Sequence, residues 1–143
     1  MNDNVSKYLN QQVMTASPAK LVSMLYDRAI MSLKEAIGAI EAGRIEARWK
    51  ANARAIEIIG HMWSTLDRDK GGEIAANLDS LFSYMLSRLP EIDLRNDPAP
   101  AQEVIGLLEP LASSWRAVAE GRSDSASRQP AAPGAGLATS LSA

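Results

Sequence analysis

Large apolar residues recur along this chain four apart, then three apart, in four separate stretches. The first holds Tyr26, Ile30, Leu33, Ile37 and Ile40. The second holds Ile45, Trp49, Ile56, Ile59, Trp63 and Leu66, with Asn52 in its one polar slot. Ile74, Leu78, Leu81 and Met85 make the third, and Val104, Leu108, Leu111, Trp115 and Val118 the fourth. A 4-3 alternation averages about 3.5 residues, close to one helical turn, so each run lines one face of a helix. Four such faces, on helices of similar length, bury themselves against one another. The pattern predicts an all-α fold, an antiparallel up-down four-helix bundle.

The punctuation between the runs supports this division. Ser17-Pro18 is a helix start, with a serine to cap free backbone N–H groups and a proline at the first helical position. Gly43 offers a stop after about Ala42, and Ile45 resumes so soon that the first two helices should be antiparallel. Asp67 to Gly72 reads as a polar turn, and Glu73 suits the first turn of the third helix by its charge. Pro90 stops that helix, residues 91–97 are expected as a loop, and Asp97-Pro98 repeats the cap-and-proline start. Pro110 falls inside the fourth run, yet the heptad continues past it, which predicts one kinked helix rather than two. Three segments result: an N-terminal cap over 1–16, the bundle over 17–120, and a disordered tail over 121–143. The tail is rich in Ser, Ala, Pro and Gly, with only Leu137 and Leu141 large and apolar, too few to offset the entropy of ordering it.

Composition narrows the function. With 143 residues, 46% apolar and 22% charged, the chain is sized for one ordinary soluble domain. Its net charge of −2 gives no general attraction to nucleic acid or anionic lipid. No cysteine is present, so disulfides, thiolate metal sites and thiol nucleophiles are excluded. Neither a secretory leader nor a stretch of the roughly 20 apolar residues that span a bilayer is seen, and the expected location is the cytoplasm.

Catalytic chemistry finds no support. A bundle can hold a di-metal centre through inward Glu-x-x-His pairs, but His61 is the only histidine, and Glu57 precedes it by four residues, not three. No nucleophile elbow or base partner accompanies the serines, and Gly71-Gly72 lacks the strand and the Gly-Lys-Ser/Thr of a phosphate loop. No catalytic, metal or cofactor residues are expected; a carboxylate-bridged metalloenzyme is the remaining catalytic class. His61 reads as a surface or boundary residue. The cluster Arg44, Arg48, Lys50 and Arg54 is interleaved with Glu46 and Glu57, and reads as a solvated helix face rather than a nucleic-acid stripe. Asn52 is read as fixing helix register.

Apolar residues beyond the four seams are more informative. The second helix carries a further 4-3-4 series, Ala51, Ala55, Ile58 and Met62. The third adds Ala75, Phe82 and Leu86, and the fourth Ile105, Leu107 and Ala112. Two explanations compete: wide core-facing stripes, or grooves that accept helices from a partner. Val5 and Tyr8, three apart in the leader, either occupy such a groove when no partner is present or begin a frayed helix.

Several blocks also carry a family resemblance. Tyr8 to Ile30 reads YLNQQVMTASPAKLVSMLYDRAI, Gly71 to Met85 reads GGEIAANLDSLFSYM, and Leu66-Asp67 and Trp115 complete the set. These resemble the FliS family of flagellar secretion chaperones over roughly residues 5–119. The resemblance implies a cytoplasmic four-helix bundle that binds the C-terminal helical segment of newly made flagellin, prevents its premature polymerisation and keeps it fit for export. It implies no enzymatic activity and no cofactor. Flagellin wraps around the bundle in that family, and an N-terminal isoleucine and tyrosine cover part of the surface beforehand; Val5 and Tyr8 stand in those places. Arg44 departs from a common aspartate cap, Phe82 from a usual tyrosine, and Pro110 and the long tail are unusual. Contacts with export-apparatus components and a weak homodimer remain open, and a self-associating structural bundle is the alternative function.

Overall fold

The computed structural model describes Lys7 and residues 15–121. Val5, Tyr8 and the tail beyond Gly121 lie outside the described residues. From Pro18 to Ala119 the helices follow in the order α1 Pro18–Glu41, α2 Ile45–Ser64, α3 Gly72–Arg88, α4 Pro90–Arg95 and α5 Ala99–Ala119. The four long ones form the expected antiparallel up-down bundle, with no strand among the described residues.

Local chemistry explains the boundaries. The Ser17 hydroxyl accepts the Lys20 N–H at 3.2 Å, and Pro18 takes the first helical position. At the other end of α1 the Arg44 N–H reaches back to the Ala39 carbonyl at 2.8 Å, and the Gly43 N–H to Ile40 at 3.1 Å. That pair of bonds requires a left-handed residue between them, and Gly43 supplies it at φ 69°. No side-chain cap bond opens α2, where Arg44 occupies the cap position. The Asp67 carboxylate accepts the Lys70 N–H at 2.9 Å in the polar turn. The Asp97 carboxylate accepts the Ala99 N–H at 2.9 Å where α5 begins. As the heptad predicted, α5 runs unbroken through Pro110.

Polar pairs between helices fix the antiparallel order. Glu35, in the second half of α1, binds Arg54, in the middle of α2, at 2.9 Å. Arg88, at the end of α3, binds Glu103 at 2.7 Å near the start of α5. Arg116, near the end of α5, reaches Asp27 in the first half of α1 at 3.3 Å. Such exposed pairs contribute about 0–1 kcal/mol each, so they report the geometry more than they stabilise it. The stabilising mass is one continuous core running from Tyr26, Leu33 and Ile59 through Phe82 and Met85 to Leu108 and Trp115.

Two expectations need correction. Residues 91–97 are not simply a loop, because Pro90–Arg95 forms the short helix α4. Pro90 ends α3 and then serves as the first residue of the next helix, where its missing N–H costs nothing. Buried Ile92 anchors this turn, and Asn96 closes it in the left-handed conformation at φ 50°.

The seam of α2 is also rotated from the one its largest residues suggest. Ile45 and Trp49 are 66% and 57% exposed, and Ile74 of α3 is likewise exposed. The buried face of α2 is instead Arg48, Ala51, Asn52, Ala55, Ile59 and Met62. Alanines at 51 and 55 let α2 lie close to α1, whose own buried face includes Ala29, Ala36 and Ala39. Arg48 is buried rather than solvated because its Nε donates to Asp93 of α4 at 2.9 Å and its Nη1 to Asn96 at 2.6 Å. Asn52 donates to the Leu89 carbonyl at 2.9 Å and to Asp93 at 3.0 Å, locking α2 against the α3–α4 junction. That agrees with a register role. The i,i+4 pair of Glu46 and Lys50, at 3.1 Å, remains on the solvated face as expected.

Candidate functional site

An open groove runs between α1 and α2. Leu25 and Arg28 line it from α1; Arg54, Glu57, Ile58, Gly60, His61 and Ser64 line it from α2. Its volume is about 770 Å³. Arg54, which is ion-paired with Glu35 at 2.9 Å, lines the end nearer the α1–α2 turn. From Arg54 to Ser64 the α2 wall advances about 15 Å, at roughly 1.5 Å per residue, which is three helical turns.

Beside the groove lies a smaller and more enclosed cavity of about 160 Å³. Its walls are Val22, Leu25 and Tyr26 of α1, His61, Met62, Thr65 and Leu66 at the end of α2, and Phe82 of α3. Leu25 and His61 border both spaces. The pairing of a long shallow groove with a deeper apolar hole suits an amphipathic segment carrying one large side chain. Burial pushes the Tyr26 hydroxyl well above its ordinary pKa, with the neighbouring Trp115 partly offsetting this, so it stays a neutral wall of the cavity.

Past the open end of the groove, Trp63 is fixed by polar contacts. Its indole N–H donates to the Asp79 carboxylate at 2.6 Å, and the Arg68 guanidinium sits 5.7 Å from the ring centroid. Arg68 also binds Asp79 at 2.7 Å. The hydrogen bonds from Arg68 and then Trp63 hold the Asp79 carboxyl below the usual carboxylate range. This tie fastens the end of α2 to α3 across the polar turn.

The candidate partner-binding residues divide between core and surface. Ala51, Ala55, Met62, Ala75, Phe82 and Ala112 are buried in the core of the free chain, as a wide core-facing stripe would have them. Met62 and Phe82 still show to the small cavity. Phe82 packs its ring 6.5 Å from that of Tyr26. Ile58, Leu86, Ile105 and Leu107 are half-buried against the core and keep an outward face, and of these the groove includes only Ile58. Val22, Leu25, Arg28 and Gly60 went unselected in the sequence. A signal existed for Val22 and Leu25, which with Leu21 are large apolar residues lying ahead of the first seam. His61 is an exposed rim residue, and no cluster of metal-ligating side chains occurs among the described residues.

The arrangement offers apolar walls and scattered charges but no paired acid and base aimed at a common point. Comparison with known proteins gives this a context. The profile described as Flagellar protein FliS matches residues 1–122. The chain belongs to the FliS family. It is 43% identical over 107 residues to the flagellar secretion chaperone FliS of Salmonella typhimurium, covering 74% of this chain and 79% of that one. The flagellar secretion chaperone FliSB of Pseudomonas aeruginosa is 37% identical over 107 residues, covering 75% and 85%. FliS of Bacillus subtilis is 30% identical over 109 residues, covering 76% and 80%. FliS proteins are chaperones of flagellar secretion, not enzymes. No helix among the described residues is long and apolar enough to cross a membrane.

Proposed function

We propose that this FliS-family protein is a cytoplasmic export chaperone that binds the C-terminal helical segment of flagellin. Holding that segment prevents premature polymerisation and keeps flagellin competent for flagellar type III secretion. The observation that carries the reading is the open groove between α1 and α2, with the apolar cavity beside it, on a chain of this family. Half-buried Leu86, Ile105 and Leu107 extend apolar surface to α3 and α5, where further turns of a wrapped segment can rest.

Wrapping follows from magnitudes. Four aliphatic side chains from one docked helix contribute roughly 6–12 kcal/mol gross, at about 1.5–3 each. Association costs of about 4–15 kcal/mol consume much or all of that. One continuous chain filling several grooves meets the association cost once, so tight binding needs the second and third contacts. In the same reading Val5 and Tyr8 cover the groove until flagellin displaces them, and weak self-association uses the surface left uncovered.

Seeded flagellin polymerisation, followed by light scattering, tests this. Equimolar protein should suppress filament growth. Unaltered growth, together with a mass that rises with concentration, would favour the self-associating structural bundle instead.

A further inference from the structure

The start of α2 turns two large apolar residues to solvent. Ile45 and Trp49 stand four apart on one face of the helix, and neither lines the groove or the cavity. Leu94 of α4 is more open still, at 81% exposed. The polar tie beneath brings the three to one end of the bundle. Arg48, next to Trp49, is bonded to Asp93, next to Leu94, and to Asn96. Asn52, one turn further along α2, holds the same Asp93. Because Arg48 and Asn52 are buried, this surface is fixed before anything docks on it, and little ordering opposes association. A tryptophan with aliphatic neighbours on a rigid surface has the composition of an interface centre.

The charges around the patch narrow the choice of partner. Lys50 is neutralised by Glu46 at 3.1 Å and Arg95 by Glu91 at 3.7 Å. Glu41 and Arg44, on the two sides of the α1–α2 turn, are exposed and have no ion pair among the described residues, not even with each other. One free anion beside one free cation makes a self-complementary edge, which two copies related by a two-fold axis satisfy on both sides at once.

We propose that a second copy of this chain docks here, patch against patch across a two-fold axis. Ile45 and Trp49 of each copy pack on Leu94 of the other, and Glu41 of each meets Arg44 of the other. Three apolar side chains a side fall well short of the roughly 800 Å² per partner of a stable interface, so the dimer is weak, with a Kd of about 10 μM to 1 mM. None of these residues lines the groove, so both grooves stay open to the exported partner. The dimer does not depend on the flagellin reading.

Sedimentation of the full chain between about 1 μM and 1 mM reads the association directly. Trp49→Ser and Leu94→Glu, both at exposed positions, should keep the melting temperature and raise Kd more than about tenfold. Glu41→Lys or Arg44→Glu alone should weaken association about three- to tenfold, and the two together should restore it, a rescue that a purely structural role would not give. A chain still monomeric at about 1 mM, association indifferent to Trp49→Ser and Leu94→Glu, or a double charge exchange as weak as the single ones would each overturn the proposal.

Two other occupants are tested on the same full chain. At about 1 μM, where the chain is monomeric, Leu137→Ser with Leu141→Ser should leave acrylamide quenching of tryptophan unchanged. Greater quenching would give the patch to the chain's own tail and overturn the proposal. Trp49→Ser should bind the C-terminal segment of the same organism's flagellin as the wild type does; loss of that binding would make the patch part of the cargo surface and overturn it equally.

Discussion

Asn52→Ala severs a polar tie between α2 and the α3–α4 junction. The side chain is completely buried and donates to the Leu89 carbonyl at 2.9 Å and to Asp93 at 3.0 Å. A neutral hydrogen bond contributes about 0.5–1.5 kcal/mol net and one to a charged group about 1.5–3. The Leu89 carbonyl keeps the Ile92 N–H at 3.1 Å, so it adds no penalty of its own. One term opposes these: Asn52 Oδ1 has no partner in its buried position, so removing it relieves roughly 1 kcal/mol of desolvation. The balance is a loss of about 1–3.5 kcal/mol, within the roughly 5–15 kcal/mol total of a domain this size, so the variant should still fold.

Asn52→Asp sharpens the test. A carboxylate there would face both the Leu89 carbonyl and Asp93, and the loss should reach about 3–5 kcal/mol. Urea denaturation followed by helical circular dichroism measures both. A loss below about 0.5 kcal/mol for alanine, or an aspartate variant no worse than the alanine one, would refute the register role assigned to this residue.

Arg44→Asp supplies the cap that α2 lacks and should stabilise the fold by about 0.5–2 kcal/mol, read as a higher melting temperature; a lower one would show that the α2 start is not limited by capping. Asp79 and Glu103 are held below the ordinary carboxylate pKa, chiefly by hydrogen bonds from Arg68 and Arg88 respectively. Because their folded values are depressed, their stabilisation is complete above the unfolded-state pKa of about 4 and disappears as pH falls through the folded values. The double variant Asp79→Asn, Glu103→Gln should therefore show a flatter fall of stability with acidification below about pH 4, and an unchanged slope would contradict the assignment. Tyr8→Ala should increase binding of an apolar dye by the free protein and alter flagellin affinity; no change in either removes the lid from the account.

The order and most boundaries of the four long helices follow from sequence because each rests on short-range chemistry. Ser17-Pro18, Gly43 and Pro90 act within one turn of where they stand. The face that a helix buries is a longer-range matter. On α2 the large residues Ile45 and Trp49 outweigh Ala51 and Ala55 in any apolar count. Yet close approach to α1 favours the alanines, and Arg48 becomes buried only because Asp93 and Asn96, more than forty residues away, satisfy it. Ala51 and Ala55, expected along a groove, are buried in the free chain for the same reason. The groove itself depends on how α1 and α2 sit side by side, and Arg28 and Gly60 have no pattern that announces it.

Titration calorimetry of the full chain against the C-terminal helical segment of its own flagellin tests the central claim most directly. The account predicts saturable one-to-one binding with a negative heat-capacity change, the mark of apolar surface leaving water. No heat and no complex, from a protein shown to be folded and helical, would contradict it.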